Sequence, residues 1–200
     1  MATALREAGL PDRVRLPFAF DPAGLADDLA LLGDAEWIAH FVPQNYEGEW
    51  GALPLRAKAG ATHPVMMIYS DPEATEFEDT ALLGQLPHIA AVVAAFRCPV
   101  RAVRLMRLTP GSVIKEHRDH DLAAEFGMAR IHVPIATNPG VEFLVNRAPV
   151  AMAPGEAWYL RLSDPHAVAN RGESDRIHLV IDVLVDGWLA AQLESGAAGA

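Results

Sequence analysis

Residues 101–121 read RAVRLMRLTPGSVIKEHRDHD. The β-rich run RAVRLMRL is cut by the turn signal TPGS, and the charged segment EHRDHD follows. Runs rich in Val and Leu that end on Gly, Pro, Asn or Asp read as short strands joined by turns. In extended backbone, residues two apart point to the same side. His117 and Asp119 therefore address one point together, while Arg118 and His120 point away.

The same texture continues downstream in ARIHVPIAT (129–137), VEFLV (141–145), APVAM (148–152), EAWYLRL (156–162) and RIHLVIDVLV (176–185). TNPG, APGE and LSDP separate these runs. Many short strands with frequent turn signals predict an antiparallel sandwich or barrel. Upstream, Val14 to Phe20 reads as a short strand. Asp21-Pro22 then reads as a helix N-cap followed by Pro at the first helical position, with Leu25, Leu29 and Leu32 as an apolar stripe. The stretch His40 to Ala57 reads as irregular strand and loop, and HIAAVVAAF as a helix ending near Arg97, before Pro99. This predicts one domain. An α-rich part over about residues 1–98 buttresses a β body over 99–188, and a tail over 189–200 frays at SGAAGA.

Composition narrows the partners. A chain of 200 residues with 51% hydrophobic and 21% charged residues suits one soluble domain. A net charge of −10 speaks against nucleic acid and against an anionic membrane, which are bound by clustered Lys and Arg. A small anionic ligand is compatible with it, because a few buried Arg suffice. The single cysteine, Cys98, precludes an internal disulfide and suits the cytoplasm. The N-terminal stretch MATALREAGLPDRVRL lacks the apolar run of a signal peptide, and no segment reads as a bilayer span. Nothing in the sequence bears on oligomeric state.

The pair His117 and Asp119 alone fits a solvated loop as well as a metal site. His166, in LSDPHAVAN after the strand EAWYLRL, adds a third candidate ligand. Two His and one carboxylate on one face leave open positions and match the ligand set of non-haem Fe(II) oxygenases. The absence of thiolate argues against structural zinc. Arg176 follows His166 by ten residues, at the start of another strand. Its planar fork suits the far carboxylate of a metal-chelated 2-oxo-diacid.

These residues carry a resemblance. His-x-Asp, about fifty residues, His, then ten residues to Arg is similar to the pattern of the aspartyl/asparaginyl β-hydroxylase family. The similarity runs through VRLMRLTPGSVIKEHRD, RIHVPI, PGEAWYL, PHAVAN and RIHLVIDV, roughly Pro99 to Asp186. Cupin-type spacing accompanies it, with Gly111 ahead of His117 and Asn170 after His166. The resemblance implies a mainly β fold, a double-stranded β-helix (jelly roll, cupin-like). It implies Fe(II) held by His117, Asp119 and His166, with 2-oxoglutarate and O2 as co-substrates and succinate and CO₂ released as a C–H bond is hydroxylated. The 5-carboxylate of 2-oxoglutarate maps onto Arg176, and Arg130 with His132 onto the rest of the co-substrate pocket. Asp119 is a ligand that the animal members of the family lack.

Other residues carry weaker signals. ARIHVPI and DRIHLVI are near-duplicates, each with Arg and His on one face and apolar residues on the other. Asn170 reads equally as a partner of His166 or as a turn cap. Trp158 reads as core or pocket wall. In VPQNYEGEWGALPLR, Asn45, Tyr46, Trp50 and Arg56, with Gln44, offer a substrate wall or, alternatively, a packed strand edge. His40, His63 and His88 carry no assignment. The reading is a dioxygenase hydroxylating a small molecule such as an amino acid or a derivative. Its alternatives are hydroxylation of Asp or Asn side chains in a peptide or protein, and a cupin-like binding module without turnover.

Overall fold

The apolar, β-branched runs pair into two antiparallel sheets in the computed structural model, which describes residues 9–198. The strands are β1 (Arg13–Ala19), β2 (Ile38–Ala39), β3 (Tyr46–Glu47), β4 (Trp50–Lys58), β5 (Phe77–Asp79), β6 (Val100–Leu108) and β7 (Val113–His117). They continue as β8 (Met128–Ala136), β9 (Val141–Val145), β10 (Ala148–Pro149), β11 (Glu156–Leu160), β12 (His166–Asn170) and β13 (Arg176–Leu184). The helices are α1 (Pro22–Ala30), α2 (Pro64–Ile68), α3 (Pro87–Ala94) and α4 (Gly187–Ala198). Asp21 caps α1, accepting hydrogen bonds from the backbone N–H groups of Ala23 and Gly24.

The larger sheet runs β1-β11-β8-β13-β6-β4-β2, with β5 added beside β4, and the smaller runs β10-β9-β12-β7-β3. From β6 to β13 the chain alternates between sheets in the manner of a jelly roll. This is the double-stranded β-helix the motifs predict. Strand alternation gives the larger sheet two buried faces. On β6, β8 and β13 the odd-numbered side chains, among them Leu105, Ile131, Leu179 and Ile181, pack with Leu25, Ile89 and Leu193 of the helices. The even-numbered side chains of these strands face the smaller sheet across a second cluster with Met106, Ile114, Phe143, Val168 and Val180.

The first 98 residues are less helical than the composition suggests. They hold α1 to α3, but also β1 to β5, and β4 is a nine-residue strand in the larger sheet. Gly51 and Pro54 disguise β4 as loop. Pro54 is tolerated at a bulge, where the register with β6 shifts between Pro54 and Arg56. The tail is also more ordered than expected. It is helical through Ala198, with Leu189 and Leu193 buried, because those residues cover the odd-numbered face. Residues 199–200 of the tail and residues 1–8 of the N-terminal stretch lie outside the described residues.

Candidate active site

Between the sheets lies a cavity of about 510 Å³. The larger sheet lines it with Arg104, Met106, Met128, Arg130, His132 and Arg176, all even-numbered. The smaller sheet contributes Ile114, Phe143 and Val168 beside His117 and His166.

His117 ends β7 and His166 begins β12, and the two are direct cross-strand partners. Their rings lie 4.2 Å apart between centroids. Asp119 sits beyond the strand, where its backbone N–H donates to the Leu162 carbonyl at 2.8 Å. One ligand-capable atom from each of His117, Asp119 and His166 falls within 4.8 Å of the other two. His117 Nδ1 lies 2.7 Å from the Lys115 carbonyl, and His166 Nδ1 lies 3.0 Å from that of Asp164. A carbonyl only accepts, so each Nδ1 carries the proton and each Nε2 keeps a free lone pair. Burial holds the His166 pKa below its ordinary value, which favours that neutral form.

Arg130 and Asp182 shape the carboxylate side of this cluster. Arg130 Nε and one terminal nitrogen donate to Asp182 at 2.6 and 3.1 Å, and the other terminal nitrogen donates to Asp119 at 2.7 Å. Burial works against the Arg130 charge, but the carboxylates of Asp182 and Asp119 outweigh it and raise the pKa. Asp182 is fully buried and also bonds Arg104, whose second terminal nitrogen donates to the Ile68 carbonyl at 2.9 Å. Burial alone would raise the Asp182 pKa. The Arg104 and Arg130 charges reverse that and hold it far below the carboxylate range. Each of the three Arg130 nitrogens thus donates to an acid, Asp182 or Asp119.

Arg176 is different. It is 2% exposed, one terminal nitrogen donates to His178 Nδ1 at 2.8 Å, and its buried Nε has no partner. Among the described residues it has no acidic partner, and burial lowers its pKa to about 9. Its guanidinium carbon lies 5.6 Å from the Phe143 ring centroid. His132 is buried beside it with both ring nitrogens unpartnered, and burial holds it well below its ordinary pKa. A buried cation without an acidic partner beside an unpartnered neutral imidazole leaves polar groups that burial alone would disfavour.

The substrate-wall residues divide. Asn45 and Trp50 line the cavity. Tyr46 does not. It packs edge-on behind Trp50 at 5.7 Å, and its hydroxyl donates to the His40 carbonyl at 3.3 Å. Arg56 is outside altogether, because the bulge after Pro54 turns it away. It donates to Asp79 at 2.5 Å and to the Phe77 and Val100 carbonyls. Gln44 is exposed. His40, unassigned from sequence, stacks on Trp50 at 3.5 Å in the cavity wall, and burial takes its pKa down to about 3. Asn170 does not touch His166. It binds the Leu108 and Ser174 carbonyls at 2.9 Å, as a clamp on the turns. The Gly111 N–H donates to its backbone carbonyl from a positive φ of 79° that suits glycine. Trp158 packs in the core and donates to Glu156. His120 is solvated, its side chain 96% exposed.

Arg104 and Asp182 were missed in the sequence. Their signal was parity, since Arg104 is the one charge among the even-numbered residues of β6 and Asp182 the one acid among those of β13.

Known proteins agree with this architecture. An oxidoreductase of the 2OG-Fe(II) oxygenase family from Burkholderia pseudomallei superposes with a TM-score of 0.57 at 19% identity, covering 93% of this chain and 90% of that one. SnoN, a non-haem α-ketoglutarate-dependent epimerase of nogalamycin biosynthesis, gives 0.51 at 12% identity over 90% of this chain and 79% of its own. At such identities the likeness is one of fold. In sequence, L-proline cis-4-hydroxylase of Rhizobium meliloti (strain 1021) is 30% identical over 165 residues, 82% of this chain and 57% of that protein. L-proline cis-3-hydroxylase 2 of a Streptomyces species is 25% identical over 170 residues, 84% of this chain and 58% of that protein. The chain thus spans a little under three-fifths of each of these relatives. A sequence model described as aspartyl/asparaginyl beta-hydroxylase matches residues 25–185, most of the chain and the whole of the jelly roll, and the chain belongs to that family.

Proposed function

We propose that this protein is an Fe(II)- and 2-oxoglutarate-dependent hydroxylase of a free amino acid or a close derivative. One observation carries the reading. A His-Asp-His cluster with two free Nε2 lone pairs shares one cavity with a buried arginine that has no acidic partner among the described residues. The donor set fits Fe(II), being imidazole and carboxylate without thiolate. His117, Asp119 and His166 would hold the metal, and Arg176 would hold the far carboxylate of 2-oxoglutarate. When bound, Fe(II) and 2-oxoglutarate supply the oxidising power that places one atom of O2 into a C–H bond.

The protein's own part is to bind, orient and exclude water. The Lys115 and Asp164 carbonyls fix the ring orientation of the two histidines. His132, neutral and unpartnered, offers a hydrogen bond beside Arg176 without adding charge. Phe143, Met106 and Ile114 keep the cavity floor apolar. Trp50, His40 and Asn45 add a wall of aromatic area with few polar groups, which suits a small substrate. The names of the two proline hydroxylases support a free amino acid, and L-proline is the first compound to test.

The test is succinate release from 2-oxoglutarate with Fe(II) and ascorbate, run across the twenty amino acids with mass analysis of products. Substrate-stimulated succinate together with an oxygenated amino acid is expected. No succinate above background with any of them would overturn the reading in favour of a binding module. Turnover only with Asp- or Asn-containing peptides would move the substrate to a polypeptide.

A further inference from the structure

We propose that Asp182 is a positioning residue of the metal centre, acting through Arg130 on Asp119. The inference rests on the reading that Asp119 is a metal ligand. It gives Arg130 a role distinct from co-substrate binding and gives Asp182 a role of its own.

Asp119 has little else to hold it. It lies outside any strand, and its side chain is 28% exposed. One carboxylate oxygen receives the Arg130 hydrogen bond at 2.7 Å, and the other faces His117 Nε2 at 3.6 Å. Arg130 therefore selects which oxygen is turned toward the two histidines. A carboxylate free to rotate would present both oxygens by turns, at an entropic cost on every binding event.

Arg130 in turn has one anchor. Asp182 faces it directly across the β8–β13 ladder and grips it at two nitrogens, which fixes the guanidinium plane and leaves one nitrogen free for Asp119. Asp182 is itself immobilised. Arg104 approaches from β6, where it pairs with Val180 in register, and Ser70 adds a side-chain hydrogen bond. Asp182 is fully buried and is not among the residues lining the cavity, so it meets neither metal nor substrate. Its charge also lets Arg130 stay ionised while buried. The chain of contacts runs from the Ile68 carbonyl through Arg104, Asp182 and Arg130 to Asp119, with Ser70 joining at Asp182, and the links between side chains of opposite charge are charge-assisted bonds.

The experiment is calorimetric titration of the metal-free protein with Co(II), with the visible Co(II) spectrum as a second readout. Asp182→Asn keeps the shape and removes the charge. It is expected to weaken Co(II) binding about 10–100-fold, the usual effect of losing the partner of a ligand, and to alter the Co(II) bands. Arg130→Gln should do the same, and adding Asp182→Asn to it should weaken binding no further. Asp119→Ala separates the two readings. If it leaves Co(II) affinity intact, Asp119 is not a ligand and the premise fails. If it abolishes binding while folded Asp182→Asn matches the parent, the premise stands and the positioning role is overturned. Additive losses in the double variant would overturn it too, since Asp182 would then act by another route. Should Asp182→Asn not fold, Arg130→Lys keeps the charge and loses the fork. An unchanged affinity there likewise overturns the proposal.

Discussion

The two faces of the larger sheet are opposite in chemistry, one packed on the helices and the other lining the cavity. On β8 and β13 the odd side carries Ile131, Val133, Leu179, Ile181 and Val183, all inaccessible to solvent. The even side of the same strands carries His132, Arg176, His178 and Asp182, all buried, and Arg130, whose side chain is 15% exposed. The odd face is held by dispersion and by removal of apolar area from water, which need no particular partner. The even face must pair every charge or leave it destabilised. Asp182, Arg104 and Arg130 are paired within the protein. Among the described residues Arg176 has no acidic partner and His132 no hydrogen bond, and both line the cavity. A face that a protein fills with unpaired polar groups is spending stability on binding.

The largest effect should come from the even face alone. His166→Ala is expected to abolish Co(II) binding by titration and to reduce substrate-dependent succinate release to background, with the far-ultraviolet circular dichroism unchanged. The converse substitution is Ile181→Ala on the odd face. It should lower unfolding free energy by about 2–5 kcal/mol in urea melts while leaving the Co(II) affinity of the folded protein near that of the parent. If the metal affinity fell with it, the two faces would not be independent.

Arg176→Leu sharpens the comparison by changing the sign. Removing a buried cation that lacks an acid should leave the ligand-free protein as stable or more so, by at most about 4 kcal/mol, while 2-oxoglutarate no longer binds the metal-loaded form. A clear loss of stability in the ligand-free protein would mean that Arg176 is structural.

The smallest effect is in pH, and its sign differs between the two sides. The Asp182 pKa is depressed by Arg104 and Arg130 against the pull of burial. Its contribution is present above the unfolded carboxylate value of about 3.9 and is lost as pH falls through its lower folded value. On the helix side, Asp28 is buried, accepts from His88 Nδ1 at 2.9 Å and raises the His88 pKa. That contribution is complete below the unfolded histidine value of about 6.5 and is lost as pH rises through the higher folded value. Chemical melts across pH should show the alkaline loss vanish in His88→Ala and the acid loss shrink in Asp182→Asn.

Much of the β body was legible because strand alternation is a local property. RIHVPI and RIHLVIDV display their two faces in the order of their letters, and the structure buries both as that order requires. His117, Asp119 and His166 were legible by type and spacing, though Asp119 reaches the cluster through the turn held by Leu162 rather than along a strand. Arg56 misled because a one-residue bulge after Pro54 reverses which side of β4 it occupies, and no local pattern announces a bulge. His40 was unreadable for a different reason. It gains its place only by stacking on Trp50 ten residues away.

The sequence by itself determined what each strand could bury and which residue types could meet a metal, since side-chain parity and donor chemistry are written residue by residue. Only the tertiary structure decided which charges would be neutralised. Arg130 and Arg176 open nearly identical segments, yet register places Asp182 opposite Arg130, while Arg176 pairs with no acid among the described residues and donates to His178 instead. Pairing depends on which strands lie side by side. For that reason two arginines alike in sequence came to differ, one as a fixed support and the other as the open cation of the cavity.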